Sequence, residues 1–226
     1  MSINNIAHLQ DIEEAEFEKI TDVYLHGQNI FIFPHQLINF INVKNLHLQN
    51  NNLKILSSDI KYLVNLETID LNNNYLETIP TELYSLTKLT RLCLHCNKIK
   101  ELPEGIANLT NLRTLTLAEN ELTTLPRELE KLKKLCGLAI HNNKFTSLPI
   151  EIKNVNNTTF NQNAYDDLNN LSPDCEYLKM HYINKPLLNL PPCLMQIDLC
   201  QPIIVDVKMP HGCKLYINGI LKEDKQ

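Results

Sequence analysis

Cysteine and histidine carry most of the chemical potential in this chain, so their spacing is weighed first. Cys93 and Cys96 form a C-x-x-C with His95 inside it, a pattern used in thiol redox exchange and zinc ligation. No second C-x-x-C lies nearby. His26 or His47 would have to come from elsewhere in the fold to complete a site, and ordinary free thiols are the preferred reading. A second set lies towards the C-terminus: Cys175, His181, Cys193, Cys200, His211 and Cys213. Cys193, Cys200, His211 and Cys213 are the conceivable zinc ligands, because a tail of this length has little core of its own. Their spacings of 7, 11 and 2 match no common zinc pattern. Incidental thiols on a packed tail are preferred, with no metal and no cofactor expected.

Catalytic signatures are absent: there is no G-x-S-x-G, no H-E-x-x-H and no Gly-rich phosphate loop, and 5 Gly in 226 residues are too few for such loops. The chain is expected not to be an enzyme. Its 7 cysteines are odd in number and irregularly placed, which speaks for a reducing compartment rather than a disulfide framework. The net charge of −5 is concentrated in residues 1–19, where Asp11, Glu13, Glu14, Glu16 and Glu18 face Lys19 alone. Without a basic excess, nucleic acid is not the expected partner. No apolar run approaches the roughly 18 residues that span a bilayer, and MSINNIAHLQ does not read as a signal peptide. A cytoplasmic location, off the membrane, is the expectation.

The elements that position these groups are set by a repeat. From Ile20 a pattern returns every 23 residues: Ile20, Val43, Leu66, Leu89, Leu112, Leu135. Three residues on stand Val23, Leu46, Ile69, Leu92, Leu115 and Leu138, and two further Leu25, Leu48, Leu71, Leu94, Leu117 and Ile140. Next come Gln28, Asn51, Asn74, Asn97, Asn120 and Asn143, then an apolar column from Ile30 to Phe145. A further column, Phe33, Leu56, Ile79, Leu102, Leu125 and Leu148, precedes Pro34, Ser57, Pro80, Pro103, Pro126 and Pro149. Leu92 and Leu94 flank Cys93 with the period-2 sign of a strand. Behind each proline, apolar residues three apart (Leu83 and Leu86, Ile106 and Leu109) predict a short helix or 3₁₀ segment.

The pattern L-x-x-L-x-L-x-x-N-x-L-x-x-L-P resembles the leucine-rich repeat over residues 20–157, six unbroken repeats. Its 23-residue length and Leu-Pro resemble the intracellular type found in Ras-suppressor-like cytoplasmic scaffolds. The resemblance implies an α/β repeat solenoid, a right-handed arc with a parallel sheet on its concave face and short helices or 3₁₀ segments on its convex face. It also implies a structural ladder of Asn51, Asn74, Asn97, Asn120 and Asn143, which Gln28 interrupts. In this family the outward strand residues bind proteins. That points to a polar patch of Tyr24, His26, His47, Gln49, Asp70, Asn72, Arg91, Cys93 and His95, with Tyr24 and Arg91 the hot spots by residue type.

Both ends of a solenoid need caps. Residues 1–19 read as an acidic helical cap, with Ile6, Leu9, Ile12 and Phe17 on one side. After Val155 the register fails, because Thr158 and Asn161 fall in apolar columns; residues 158–174 read as a degenerate closing repeat or linker. Residues 175–226 read as a tail with a β-hairpin, pairing the run Ile203–Val207 with Leu215–Ile217 around Pro210-His211-Gly212.

The leading functional expectation is a non-enzymatic scaffold or adaptor that binds a protein partner on its concave face. One alternative makes the Cys/His tail the working part, as a metal-stabilised or docking element. Another, prompted by the Asn, Ile and Lys bias, is a virus- or pathogen-encoded mimic of a host repeat protein.

Overall fold

The computed structural model describes residues 2–146, 149, 151, 155, 157–160, 177–180, 187, 190, 192–200 and 207–222. Among the described residues, twelve strands form one sheet in sequence order. They are β1 (Ser2–Ile3), β2 (Asp22–Tyr24), β3 (Asn45–His47), β4 (Thr68–Asp70), β5 (Arg91–Cys93) and β6 (Thr114–Thr116). β7 (Gly137–Ala139), β8 (Asn157–Phe160), β9 (Tyr177–Met180), β10 (Gln196–Leu199), β11 (Lys214–Ile217) and β12 (Ile220–Lys222) follow. Each neighbouring pair is parallel except β11 with β12.

The strands are short because each carries a single inward residue. Val23, Leu46, Ile69, Leu92, Leu115 and Leu138 are buried at the strand centres. The second inward column, Leu25 to Ile140, is buried just past the strand ends. Residues 23 apart pair directly, as Val23 with Leu46 and Ile69 with Leu92, so each column becomes a straight file of side chains through the core.

Opposite the sheet, 3₁₀ segments span His35–Asn39, Ser58–Tyr62, Thr81–Ser85, Glu104–Asn108 and Arg127–Lys131. Three residues per turn bring i and i+3 onto one side, so Leu83 and Leu86, or Ile106 and Leu109, are buried together. Pro34, Pro80, Pro103 and Pro126 stand just before these segments with φ between −70 and −62, which presets the chain's entry. In the one repeat with Ser57 instead, its hydroxyl accepts from the Asp59 N–H at 3.1 Å and caps the segment. Tyr84 adds a close fit between neighbours: a Cβ at Gly105 would stand 2.5 Å from the Tyr84 ring.

Asparagine holds the turns through three columns. Asn74 shows the first: its Nδ2 donates to Leu48 O at 3.0 Å and Leu71 O at 3.1 Å, and its Oδ1 accepts from Leu53 N–H at 3.0 Å. Asn51, Asn97, Asn120 and Asn143 repeat these bonds, so each amide serves two repeats and satisfies turn backbone that would otherwise lack partners. Gln28 is a correction to the reading. Its longer arm extends the ladder rather than interrupting it, accepting from Ile6 N–H at 2.7 Å and donating to Asn4 O at 2.9 Å. The second column lies one residue earlier: Gly27, Asn50, Asn73, Cys96, Glu119 and Asn142 all have positive φ. Gly and Asn tolerate that region best. In the third, Asn42, Asn65 and Asn111 donate to carbonyls 24 residues back, at 2.8 to 2.9 Å.

The N-terminal residues make a strand and two 3₁₀ segments, Ile6–Gln10 and Glu14–Lys19. β1 was not anticipated; it places Ile3 opposite Val23 and so extends the central core column. Leu9 is buried, while Ile6, Ile12 and Phe17 pack partly buried against the core. Phe17 meets Phe40 edge-on at 5.2 Å.

Past β7 the sheet continues with shorter spacing. Leu138 pairs with Thr158, Thr159 with Lys179, Tyr177 with Gln196 and Gln196 with Lys214, steps of 20, 20, 19 and 18 residues. Thr158 pairs with Leu138 and so stands in the first inward column, where the sequence has lost its apolar residue; Asn161 lies outside the described residues. Phe160 pairs with Met180 and Met180 with Leu199, and Met180 and Leu199 are both buried, so the second inward column runs on in β9 and β10. The hairpin also lies elsewhere than anticipated. β11 turns back into β12 at Asn218 and Gly219, both with positive φ, as a two-residue type I′ connection requires. Pro210-His211-Gly212 instead makes the turn that leads into β11, where Cys213 N–H donates to Pro210 O at 3.1 Å. Val207 pairs in parallel with Leu187. Residues 203–206 lie outside the described residues, as do Cys175, His181 and Leu148.

Candidate functional site

The residues between the inward positions are excluded from the core by the two-residue period, and the register lines them up in rows across the concave face. The end of each strand contributes Tyr24, His47, Asp70, Cys93, Thr116 and Ala139. Two residues on stand His26, Gln49, Asn72, His95, Ala118 and His141. Backbone bonds such as Gly27 N to Gln49 O and Asn73 N to His95 O hold this second row in step. Arg91 belongs to a third row at the strand starts, beside Thr68 and Thr114, and is exposed.

The N-terminal half of this face is polar and ordered. The Tyr24 ring stacks on His47 with 4.8 Å between centroids and 12° between planes. Asp22 accepts from Thr21 Oγ1 at 2.7 Å and from Asn45 Nδ2 at 2.6 Å, which together hold its carboxyl below the usual carboxylate range. Asp70 accepts from Asn72 N–H at 3.0 Å, and Asn72 Oδ1 accepts from His95 N–H at 2.7 Å. The Asn72–His95 bond ties two successive repeats together. Gln49 Oε1 is shut from solvent with no protein donor.

Cys93 and Cys96 are free thiols in different settings. Cys93 is buried, and burial first, then the Asp70 charge, push its thiol up, so it is protonated at neutral pH and a poor nucleophile. Cys96 sits in the positive-φ turn. Among the described tail residues Cys193, Cys200 and Cys213 form no disulfide, and Cys193, Cys200, His211 and Cys213 are not brought together. Cys193 and Cys213 precede β10 and β11 while Cys200 follows β10, so a four-residue strand, roughly 13 Å long, keeps them apart. Among the described residues, the side chains close enough to share an ion are His95, Glu119 and His141, with ligand atoms within 4.8 Å of one another. Only His95 of these was singled out in the sequence. His141 was legible as the same column two repeats on, and Glu119 as an acidic residue in a column of Gly and Asn.

A second surface lies outside the strand rows. Phe31, Ile32 and Ile55 are 67, 81 and 72% exposed. They line a groove of about 440 Å³ whose wall holds the His35–Asp59 pair at 3.1 Å. No helix among the described residues is long and apolar enough to cross a membrane.

A leucine rich repeat family model matches residues 87–145, and a model of two such repeats matches residues 64–108. No curated protein matches the chain in sequence. Among solved structures, an internalin from Listeria monocytogenes superposes with a TM-score of 0.74 at 18% identity, covering 93% of this chain and 65% of that one. The plant peptide hormone receptor RGFR1, in complex with RGF2, superposes with a TM-score of 0.59 at 22% identity, covering 92% of this chain and 37% of that one. The chain thus spans less than two thirds of either protein, and at these identities the likeness speaks to the fold. With the 23-residue period, the in-register parallel strands and the asparagine ladder in place, the matched models make residues 64–145 leucine-rich repeats, and the flanking strands continue the same fold.

Proposed function

We propose that the chain is a non-enzymatic protein-binding module, a cytoplasmic scaffold or adaptor of the intracellular repeat type, whose contact surface is the N-terminal half of the concave face. One observation carries this reading. Tyr24, His47, Asp70 and Arg91 stand in adjacent strands, spaced by the sheet at about 4.8 Å, in positions the core does not use. Towards the C-terminal end the same rows shrink to Thr116, Ala118 and Ala139, with His141 the exception. An aromatic anchor beside opposite charges on a rigid sheet suits recognition of a folded protein surface with little loss of side-chain freedom. Gln49, His26, Asn72 and His95 complete the surface, whereas Cys93, expected there from its row, is buried. In this organisation residues 1–19 cap one end, residues 20–157 carry the contact face, residues 158–174 close the long repeats, and residues 175–226 finish the sheet.

The test is affinity capture from cytosol with three proteins: the parent, the Tyr24→Ala/Asp70→Ala/Arg91→Ala variant, and a convex control, Glu130→Ala/Lys133→Ala. The expected result is a set of captured proteins lost with the concave variant and kept with the control. With a purified partner, each single concave substitution is expected to weaken binding roughly tenfold, the scale of a hot spot. An unchanged set of captured proteins overturns the proposal.

A further inference from the structure

Glu119 and His141 lie beyond the patch assigned to a protein partner, and with His95 at its edge they make an arrangement with its own logic. His95 and His141 occupy one concave row but belong to strands two apart, roughly 9.6 Å at the backbone. Their rings nevertheless lean to a centroid separation of 6.4 Å. The residue between them is Ala118, whose methyl group leaves the gap that the two imidazoles close over. Glu119 follows directly, and its N–H donates to His141 O at 2.9 Å. Asn72 Oδ1 holds the His95 N–H at 2.7 Å, and Cys96 N–H donates to Ala118 O at 2.9 Å. All three backbones are therefore fixed by neighbouring repeats before any ligand arrives.

Glu119 has φ 54 in a column where four of the other five residues are Gly27, Asn50, Asn73 and Asn142. Glutamate has neither the freedom of glycine nor the local hydrogen bonding by which asparagine offsets that conformation. The turn thus tolerates a costly residue whose carboxylate is set within 4.8 Å of both imidazole nitrogens. Among the described residues no ion pair claims Glu119, while the nearby Lys144 is taken by Glu121 at 2.7 Å.

We propose that His95, Glu119 and His141 bind one divalent d-block cation of the zinc class on the concave face. Two imidazole nitrogens and a carboxylate oxygen are a common zinc donor set, with a fourth position left for water. Tetrahedral zinc with bonds of about 2.0–2.1 Å puts its donors roughly 3.4 Å apart. The widest separation allowed here, 4.8 Å, closes by rotating an exposed glutamate and two half-buried imidazoles. The ion would clasp the fourth, fifth and sixth long repeats together. Protein binding by the other half of the face is not required for this site, so either proposal can fail alone.

The experiment is calorimetric titration of the metal-free full chain with zinc sulfate, after alkylation of the exposed thiols Cys136 and Cys193. A parallel titration with cobalt(II) is read in the visible and near-ultraviolet. The expected result is one ion per chain, and a cobalt spectrum without a thiolate charge-transfer band. Glu119→Asn and His141→Ala are each expected to weaken zinc by tenfold or more. Glu119→Asn is the decisive variant, because asparagine suits the turn: its melting temperature should hold or rise while zinc binding falls. Parent-like zinc affinity in Glu119→Asn, a thiolate band, or absence of stoichiometric binding by the parent overturns the proposal.

Discussion

The strands from β2 to β7 and those from β8 to β11 belong to one sheet, yet they reach it by different means. In the first group every strand is 23 residues from the next, and an asparagine three residues past the second inward position bonds two repeats together. In the second group the step is 18 to 20 residues. The position three past Phe160 is still Asn163, but past Met180, Leu199 and Ile217 it is Ile183, Pro202 and Ile220, none of which can serve as a ladder amide. The contrast separates two requirements that the long repeats satisfy together. Strand pairing with two inward apolar residues is common to β2–β7 and to β9–β11. Among the described residues the ladder amides, Asn51 to Asn143, all stand in the long repeats.

The sharpest way to break this comparison is Asn74→Ala. It strips partners from Leu48 O, Leu71 O and Leu53 N–H inside the core. Unpaired buried groups of this kind cost about 1–3 kcal/mol each when fully desolvated, so a loss on the order of 2–4 kcal/mol is expected in chemical denaturation. Indifference to this change would mean that the ladder adds nothing beyond what strand pairing supplies.

A smaller effect is expected from Gly219→Ala, which forces a side chain into φ +76. The cost is roughly 1 kcal/mol, and it should be local. Hydrogen exchange should quicken in β11 and β12 and stay unchanged in β2 to β7, since each repeat leans on its neighbours alone. Uniform quickening along the chain would show that the two groups unfold as one.

The smallest effect concerns acid. Asp22 has a lowered folded-state pKa, so its contribution is present above the ordinary value of 3.8 and is lost as pH falls through the folded value. Asp22→Asn should therefore flatten the acid limb of the stability curve only below about pH 4. Protection should change first at β2 and β3, leaving the short repeats unaffected.

Much of the fold was legible because a solenoid writes its core as a period. Val23, Leu46 and Ile69 could be matched by counting, since neighbours 23 apart in sequence are neighbours in space. The same counting failed after Val155, because the sheet demands alignment of strands and is indifferent to how many residues the connecting arm uses. It failed at Gln28 for a related reason: a side chain one methylene longer reaches the N-terminal turn, and no column in the sequence records reach. The hairpin was sought at Pro210-His211-Gly212, although Asn218-Gly219 has the backbone freedom the turn needs.

What the sequence determined by itself is the repeat, the inward columns, the ladder asparagines and the rows left for solvent, all consequences of near-neighbour periodicity. Tertiary structure alone decided which side chains meet across strands. Tyr24 lies flat on His47, Tyr84 fills the space that Gly105 leaves open, and His95 leans towards His141 over Ala118 with Glu119 held beside them. These meetings depend on ring orientation, on the size of the intervening residue and on a backbone turn of positive φ, and those are properties of the assembled sheet that no single repeat possesses.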